Sequence, residues 1–204
     1  MYSKNIENGN IGTNVPDDLR VVTPLLQHYG VKTEWLDVVD NIWVALWFGL
    51  HHFSGELVRN RDHIYISGTD NENTNSEYVY ILLIFSDAKT EDEKLPGLYT
   101  GERTTLVDLR KAIPSQFLRP HCQHGLMFKG KTDQPTADFS EYIIGAAKIQ
   151  RHLVRQWLHG GDLLSVQSLF PSMNFDNGYK HLFEKFDTYG WNVPTYGSIQ
   201  LISY

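Results

Sequence analysis

Leu25-Leu-Gln-His-Tyr-Gly-Val-Lys-Thr-Glu-Trp-Leu-Asp37, continued by Val38-Val-Asp-Asn-Ile-Trp-Val-Ala-Leu-Trp-Phe-Gly-Leu-His-His-Phe53, joins a polar, glycine-centred turn to a long apolar run. Its second half is apolar at Ile42, Ala45, Leu46, Gly49, Leu50 and Phe53, a helical stripe that Trp43, Val44, Trp47 and Phe48 widen until little polar face remains. A helix apolar nearly all round belongs in the centre of a domain. Asp37 or Asp40 is expected to cap it, since a carboxylate accepts from exposed first-turn amides and favours the positive end of the dipole. Just upstream, Gln27, His28, Tyr29 and Thr33 gather amide, imidazole, phenol and hydroxyl groups around the Gly30 turn. Such a cluster can hold a phosphate at a helix start, or can tie a turn to the core with no ligand at all.

Outward from this stretch, Asp17 and Asp18 are N-cap candidates for a helix running to Gln27, with Pro24 inside it marking a break or a second start. Gly30 stops it. Downstream, His63–Ser67 and Tyr78–Phe85 read as strands separated by a loop of turn-forming residues. Tyr78–Phe85 is apolar on both faces and is expected to be a central strand. Residues 87–104 read as an exposed connection, Thr105–Leu109 and Tyr142–Ile149 as further strands, and Gln150–His159 and Asn177–Phe186 as closing helices. The expected class is α+β: a mixed or antiparallel central sheet, a buried helix and C-terminal helices. Residues 1–16 form an expected flexible tail, 17–190 a single domain, and 191–204 a tail or edge strand whose Ser198–Ser203 segment can pair between chains as a homodimer contact.

The 204 residues, 41% hydrophobic and 13% aromatic, suffice for one well-buried core. Eighteen basic against 24 acidic side chains, a formal charge of −6, argue against nucleic acid as a partner. The one basic group, Lys148 with Arg151 and Arg155, reads as a solvated helix face. A single cysteine, Cys122, leaves no disulfide framework, and no secretory apolar segment is found among residues 1–14, so the cytoplasm is the expected compartment. The longest apolar runs, Ile42–Leu50 and Tyr78–Phe85, are well below the roughly 18 residues of a membrane span, so no membrane is expected. Phosphate-binding glycine loops, nucleophile elbows and zinc-protease spacings are missing. The histidines at 51, 52, 121 and 124 lack a second ligand pair at recognised spacing, so no metal is expected.

The Leu25–Asp37 segment, followed by Asn41 and Ala45-Leu-Trp-Phe48, resembles the core of the FRG-domain family. Arg119-Pro120 with Gln123-His-Gly-Leu-Met-Phe128 is similar to that family's Arg-Pro and Gln-x-Gly-x-Phe element, and Ser168-Leu-Phe-Pro171 to the Phe-Pro before its last helix. The resemblance covers residues 19–186 in matching order. The family's N-terminal Arg-Gly element has no counterpart here, Glu34 stands where an Arg commonly follows the Thr, and Val38-Val39 replaces Trp-Thr. These departures describe a truncated or diverged member.

The resemblance implies a layout like that of ADP-ribosyltransferases, with NAD or ADP-ribose as ligand. Gln123, His28 and Thr33 would carry catalysis, while Gln27, Tyr29, Asp37, Asn41 and Arg119 would bind ligand. In that reading Arg119 pairs with phosphate or with Asp37, Gln123 bonds a ribose or amide, and His28 stands in as a ribose-binding group. The competing class is a non-enzymatic protein-interaction or ligand-sensing module, for which Trp35, Trp157, Trp191 and the segment Tyr196–Tyr204 offer interface anchors.

Overall fold

Asp18 accepts a hydrogen bond from the Arg20 amide at 2.8 Å and so starts helix α1 (Leu19–His28). In this computed structural model, which describes residues 15, 17–58, 61–68, 77–131, 138–161, 163–189 and 201–203, Pro24 does not break α1. Its missing N–H removes one bond, while its ring is buried in the core. The end of α1 follows from Gly30, whose φ of 105° suits a residue without Cβ. The Val31 amide donates to the Leu26 carbonyl and the Gly30 amide to that of Gln27, a Schellman closure with Val31 and Leu26 both buried.

The chain then forms β1 (Leu36–Val39), α2 (Ile42–Leu50), β2 (His51–Val58), β3 (Arg61–Gly68), β4 (Tyr78–Ile84), β5 (Thr90–Glu91), β6 (Leu98–Thr100), β7 (Thr104–Asp108), α3 (Leu109–Ala112), α4 (Leu118–Cys122) and β8 (Gly125–Gly130). It closes with β9 (Ile143–Gln150), α5 (Arg151–Trp157), α6 (Val166–Leu169), α7 (Asn177–Tyr189) and β10 (Leu201–Ser203). The class is α+β. A five-stranded antiparallel sheet has the order β1-β8-β7-β6-β5, β10-β3-β2 is a second sheet, and β4-β9 is a two-stranded ribbon. One core lies where α1, α3 and α7 meet the five-stranded sheet, with Leu26, Tyr29, Val107, Phe117 and Met127 inside it. The other joins α2, β4, α5 and α6 through Leu46, Trp47, Val79, Val154 and Leu169. Of the expected tail 1–16 all but Val15, together with residues 69–76, Trp191 and Tyr196, lie outside the described residues.

Several expectations are corrected. Asp37 lies in β1, opposite Met127 of β8, and caps nothing; Asn41 is the N-cap of α2, its Oδ1 accepting from Trp43 N at 2.9 Å and Val44 N at 3.3 Å. The apolar run stops being helical at Leu50, because His51–Phe53 pair with Ile66–Gly68 in the β2–β3 hairpin. Its first turn is open to solvent, Ile42 and Trp43 being 53% and 45% exposed, while Val44, Leu46, Trp47 and Leu50 are buried. Tyr78–Phe85 is not a central strand: β4 pairs only with β9 among the described residues. The connection 87–104 is also more ordered than expected, since it holds β5 and β6. The C-terminal edge strand is partly engaged within the chain, Leu201–Ser203 running parallel to His63–Tyr65.

Where the ribbon meets the five-stranded sheet, Thr104 is fully buried and its hydroxyl reaches both Ser86 Oγ at 2.9 Å and Asp87 Oδ1. Asp87 Oδ2 also accepts from Arg103 N at 3.0 Å. The Thr104 hydroxyl, and then the Arg103 amide, hold the Asp87 carboxyl down to about 2. A carboxyl lowered on folding adds stability that is complete above its ordinary value of 3.8 and is lost as the pH falls through about 2. Asp87→Asn is therefore less stable than the parent above that ordinary value, and the difference closes on acidification; acid titrations followed by circular dichroism check it. Urea denaturation tests the cap: Asn41→Ala costs about 1 kcal/mol, and Asp37→Ala shows no loss of a cap.

Candidate functional site

Gln27, in the last turn of α1, organises the turn that follows. Its Oε1 accepts from the Thr33 amide at 3.1 Å and from the Thr33 hydroxyl, and its Nε2 donates to the Trp35 carbonyl and, at 3.3 Å, to Asp37 Oδ2. All the polar capacity of one amide thus folds residues 30–35 back against the start of β1. Between this loop and β1 lies a shallow cleft of about 370 Å³ lined by Gln27, Gly30, Val31, Lys32, Thr33 and Asp37.

The Asp37 carboxylate faces this cleft with its side chain 51% exposed. Behind it, His28 is almost fully covered and donates from Nδ1 to Asp37 Oδ1 at 3.0 Å. Its Nε2 has no hydrogen-bond partner among the described residues and lies against β8, where a Cβ on Gly125 would come within 2.8 Å of the ring Cε1. Gly125 is therefore the residue that lets the imidazole approach the strand this closely. The result is a carboxylate held by a donor on each oxygen and half exposed on a cleft that Lys32 also lines.

The structure brings Gln27, His28, Thr33 and Asp37 together and sets the other sequence-derived candidates apart. Tyr29 is fully buried and donates to Asp176 Oδ2 at 2.6 Å; burial, and then the Asp176 charge, push its phenol well above its ordinary value. Arg119 is buried as well. Its Nη1 donates to the His28 carbonyl at 3.3 Å, and its guanidinium lies 4.5 Å and 4.7 Å from the Tyr29 and Tyr179 ring centres, so it reaches neither Asp37 nor the cleft. Gln123 is buried and donates from Nε2 to the Leu169 carbonyl at 2.8 Å. Asn41 caps α2 and directs its Nδ2 to His124 Nε2 at 3.2 Å.

Two features escape sequence reasoning. Lys32 joins the cleft, although nothing in its spacing marks it. Beyond the far end of β1, Arg110 binds Asp40 through both terminal nitrogens at 3.0 and 2.7 Å and Asp108 at 2.8 Å, and His124 Nδ1 lies 3.3 Å from Asp40 Oδ1. His124 reaches this cluster from a left-handed backbone, φ 53°, between α4 and β8. The two carboxylates hold Arg110 protonated at every accessible pH. Four partners separated by up to 84 residues leave no periodic signal. Among the described residues no three His, Cys, Asp or Glu side chains gather as they would around a metal ion.

Gln123→Ala leaves the Leu169 carbonyl buried without its donor and is expected to cost about 1–3 kcal/mol, seen as a lower denaturation midpoint with the cleft unchanged. No protein-family profile, curated protein or solved structure was found that matches this chain.

Proposed function

We propose that the cleft beside Asp37 binds a nucleotide of the NAD or ADP-ribose kind, and that the chain is an FRG-like domain related in layout to ADP-ribosyltransferases. The observation that carries this reading is the Asp37 carboxylate: half exposed, fixed through one oxygen by His28 and through the other by Gln27. A carboxylate so held keeps lone pairs for the two hydroxyls of a ribose, and needs no rearrangement to accept them. Lys32, on the same cleft, supplies the cation that a pyrophosphate requires.

Binding has more support here than turnover. Breaking the nicotinamide–ribose bond builds positive charge on the sugar, and the Asp37 carboxylate is the group in this cleft that would stabilise it. Of the three residues to which the resemblance assigns catalysis, Thr33 lines the cleft with its hydroxyl engaged by Gln27, His28 holds Asp37 from behind, and Gln123 is bound to the Leu169 carbonyl away from the cleft. His28 is then a positioning residue for Asp37.

Calorimetric titration of the full chain with NAD and with ADP-ribose tests the reading. Saturable binding is expected, with Asp37→Asn and Lys32→Ala each weakening it roughly tenfold, about 1.4 kcal/mol, while the fold persists by circular dichroism. No heat above dilution at millimolar nucleotide overturns it. Release of nicotinamide from NAD, followed chromatographically, separates an enzyme from a binding module.

A further inference from the structure

Among the described residues, one face of the β4–β9 ribbon has no cover. Val79, Ile81 and Ile149 point inward to the α2–α5 core. On the opposite face Tyr80 and Leu82 stand across from Lys148 and Ala146. Tyr80, Leu82 and Ile144, the last at the register shift of β9, are 55%, 53% and 68% exposed. Phe85 and Ile143 are exposed at the same end, as is Leu83, which lies on the inner face with Val79 and Ile81. Among the described residues neither edge of the ribbon pairs with another strand. A contiguous apolar surface of this kind is unusual on a monomer.

The two ends of this surface differ in charge balance, basic residues outnumbering acidic ones at one end and acidic residues outnumbering basic ones at the other. At the end where β9 enters α5 stand Lys148, its ammonium 4.0 Å from the Tyr78 ring centre, then Arg151, His152 and Arg155, with Glu77 as their nearby carboxylate. At the other end stand Asp87, Asp138 and Glu141, with Arg103 bonded to Glu141 at 3.0 Å and Lys131 bonded to the Gly101 carbonyl. Between Tyr78 and Phe85, and between Tyr142 and Ala147, the sequence carries no charge.

We infer that this face is a two-fold interface with a second copy of the chain. A rotation axis perpendicular to the strands packs Tyr80, Leu82 and Ile144 against the same residues of the mate, and brings the basic end of each ribbon onto the acidic end of the other. An isologous contact needs that self-complementarity, and a ribbon apolar in the middle with opposite charge at its two ends supplies it. A membrane surface is the poorer occupant, because the open ribbon edges would carry unpaired backbone groups into lipid and the acidic end would face anionic headgroups.

Sedimentation velocity on the full chain, from low concentration up to about 100 µM, reads the mass directly. A dimer is expected, with Leu82→Asp giving a folded monomer. Lys148→Glu and Glu141→Lys are each expected to weaken association and, when combined, to restore it, since the swapped charges meet again across the axis. A chain that stays monomeric throughout overturns the proposal, as does a dimer indifferent to folded Leu82→Asp. Recovery failing in the charge-swap pair overturns the head-to-tail arrangement. A monomer that instead sediments with vesicles of anionic phospholipid, and loses this with Leu82→Asp, transfers the face to a membrane and overturns it too.

Discussion

A carboxylate with no access to water, Asp176, accepts three hydrogen bonds: from the Tyr29 hydroxyl at 2.6 Å, the Arg119 amide at 3.1 Å and the Tyr179 amide at 2.8 Å. These donors come from the end of α1, the start of α4 and the first turn of α7, so one buried charge fixes three helices to one another. The Arg119 guanidinium, set against both the Tyr29 and the Tyr179 ring, supplies positive charge to the same interior and reaches the His28 carbonyl. A buried carboxylate is tolerated only when its oxygens are hydrogen-bonded, and the three donors meet that need for Asp176. That requirement makes the docking of α1 specific, where apolar contacts alone would permit sliding.

The cleft depends on that docking. With the end of α1 fixed, the Gly30 turn reverses the chain and Gln27 pulls residues 33–35 back beneath the helix. The β1–β8 register then sets Asp37 beside His28, and the absence of a side chain at Gly125 gives the imidazole room. Each of these steps is a structural necessity that also prepares a carboxylate for a ligand. The polar residues of the QHYG-like stretch therefore divide between both readings of such a cluster: Tyr29 serves the core, Gln27 and His28 serve the turn and the carboxylate, and Asp37 remains available.

The second core has a different character. It is built from one side of α2 and the inner face of the β4–β9 ribbon, so half of a strongly apolar strand is left facing outward. The five-stranded sheet satisfies itself through consecutive antiparallel neighbours from β5 to β8, whereas the ribbon joins segments about 65 residues apart and has no third strand among the described residues. Apolar content there reflects surface that something must cover, which is why β4 reads from sequence like a central strand.

Local chemistry made much of this legible in the sequence. The α+β class, the Asp18 start and Gly30 stop of α1, the strands at 63–67, 105–109 and 142–149, and the helix from Asn177 all follow from caps, glycine and periodicity, which depend on neighbours a few residues away. The polar group around Gly30 was legible as well, down to Gln27, His28, Thr33 and Asp37 lying together. Which of its members face solvent was not. Arg119, Gln123 and Tyr29 carry the same hydrogen-bonding groups whether they meet a ligand or the Leu169 carbonyl and Asp176, and only long-range packing chooses. The α2 boundary shows the same limit: nothing local stops that helix at Leu50, and it ends there because the pairing of His51–Phe53 with residues 66–68 competes for the same backbone groups. Local sequence set most helix and strand starts and the chemistry on offer; long-range packing set burial and, as at Leu50, some element boundaries, because both depend on contacts between residues that the chain itself keeps far apart.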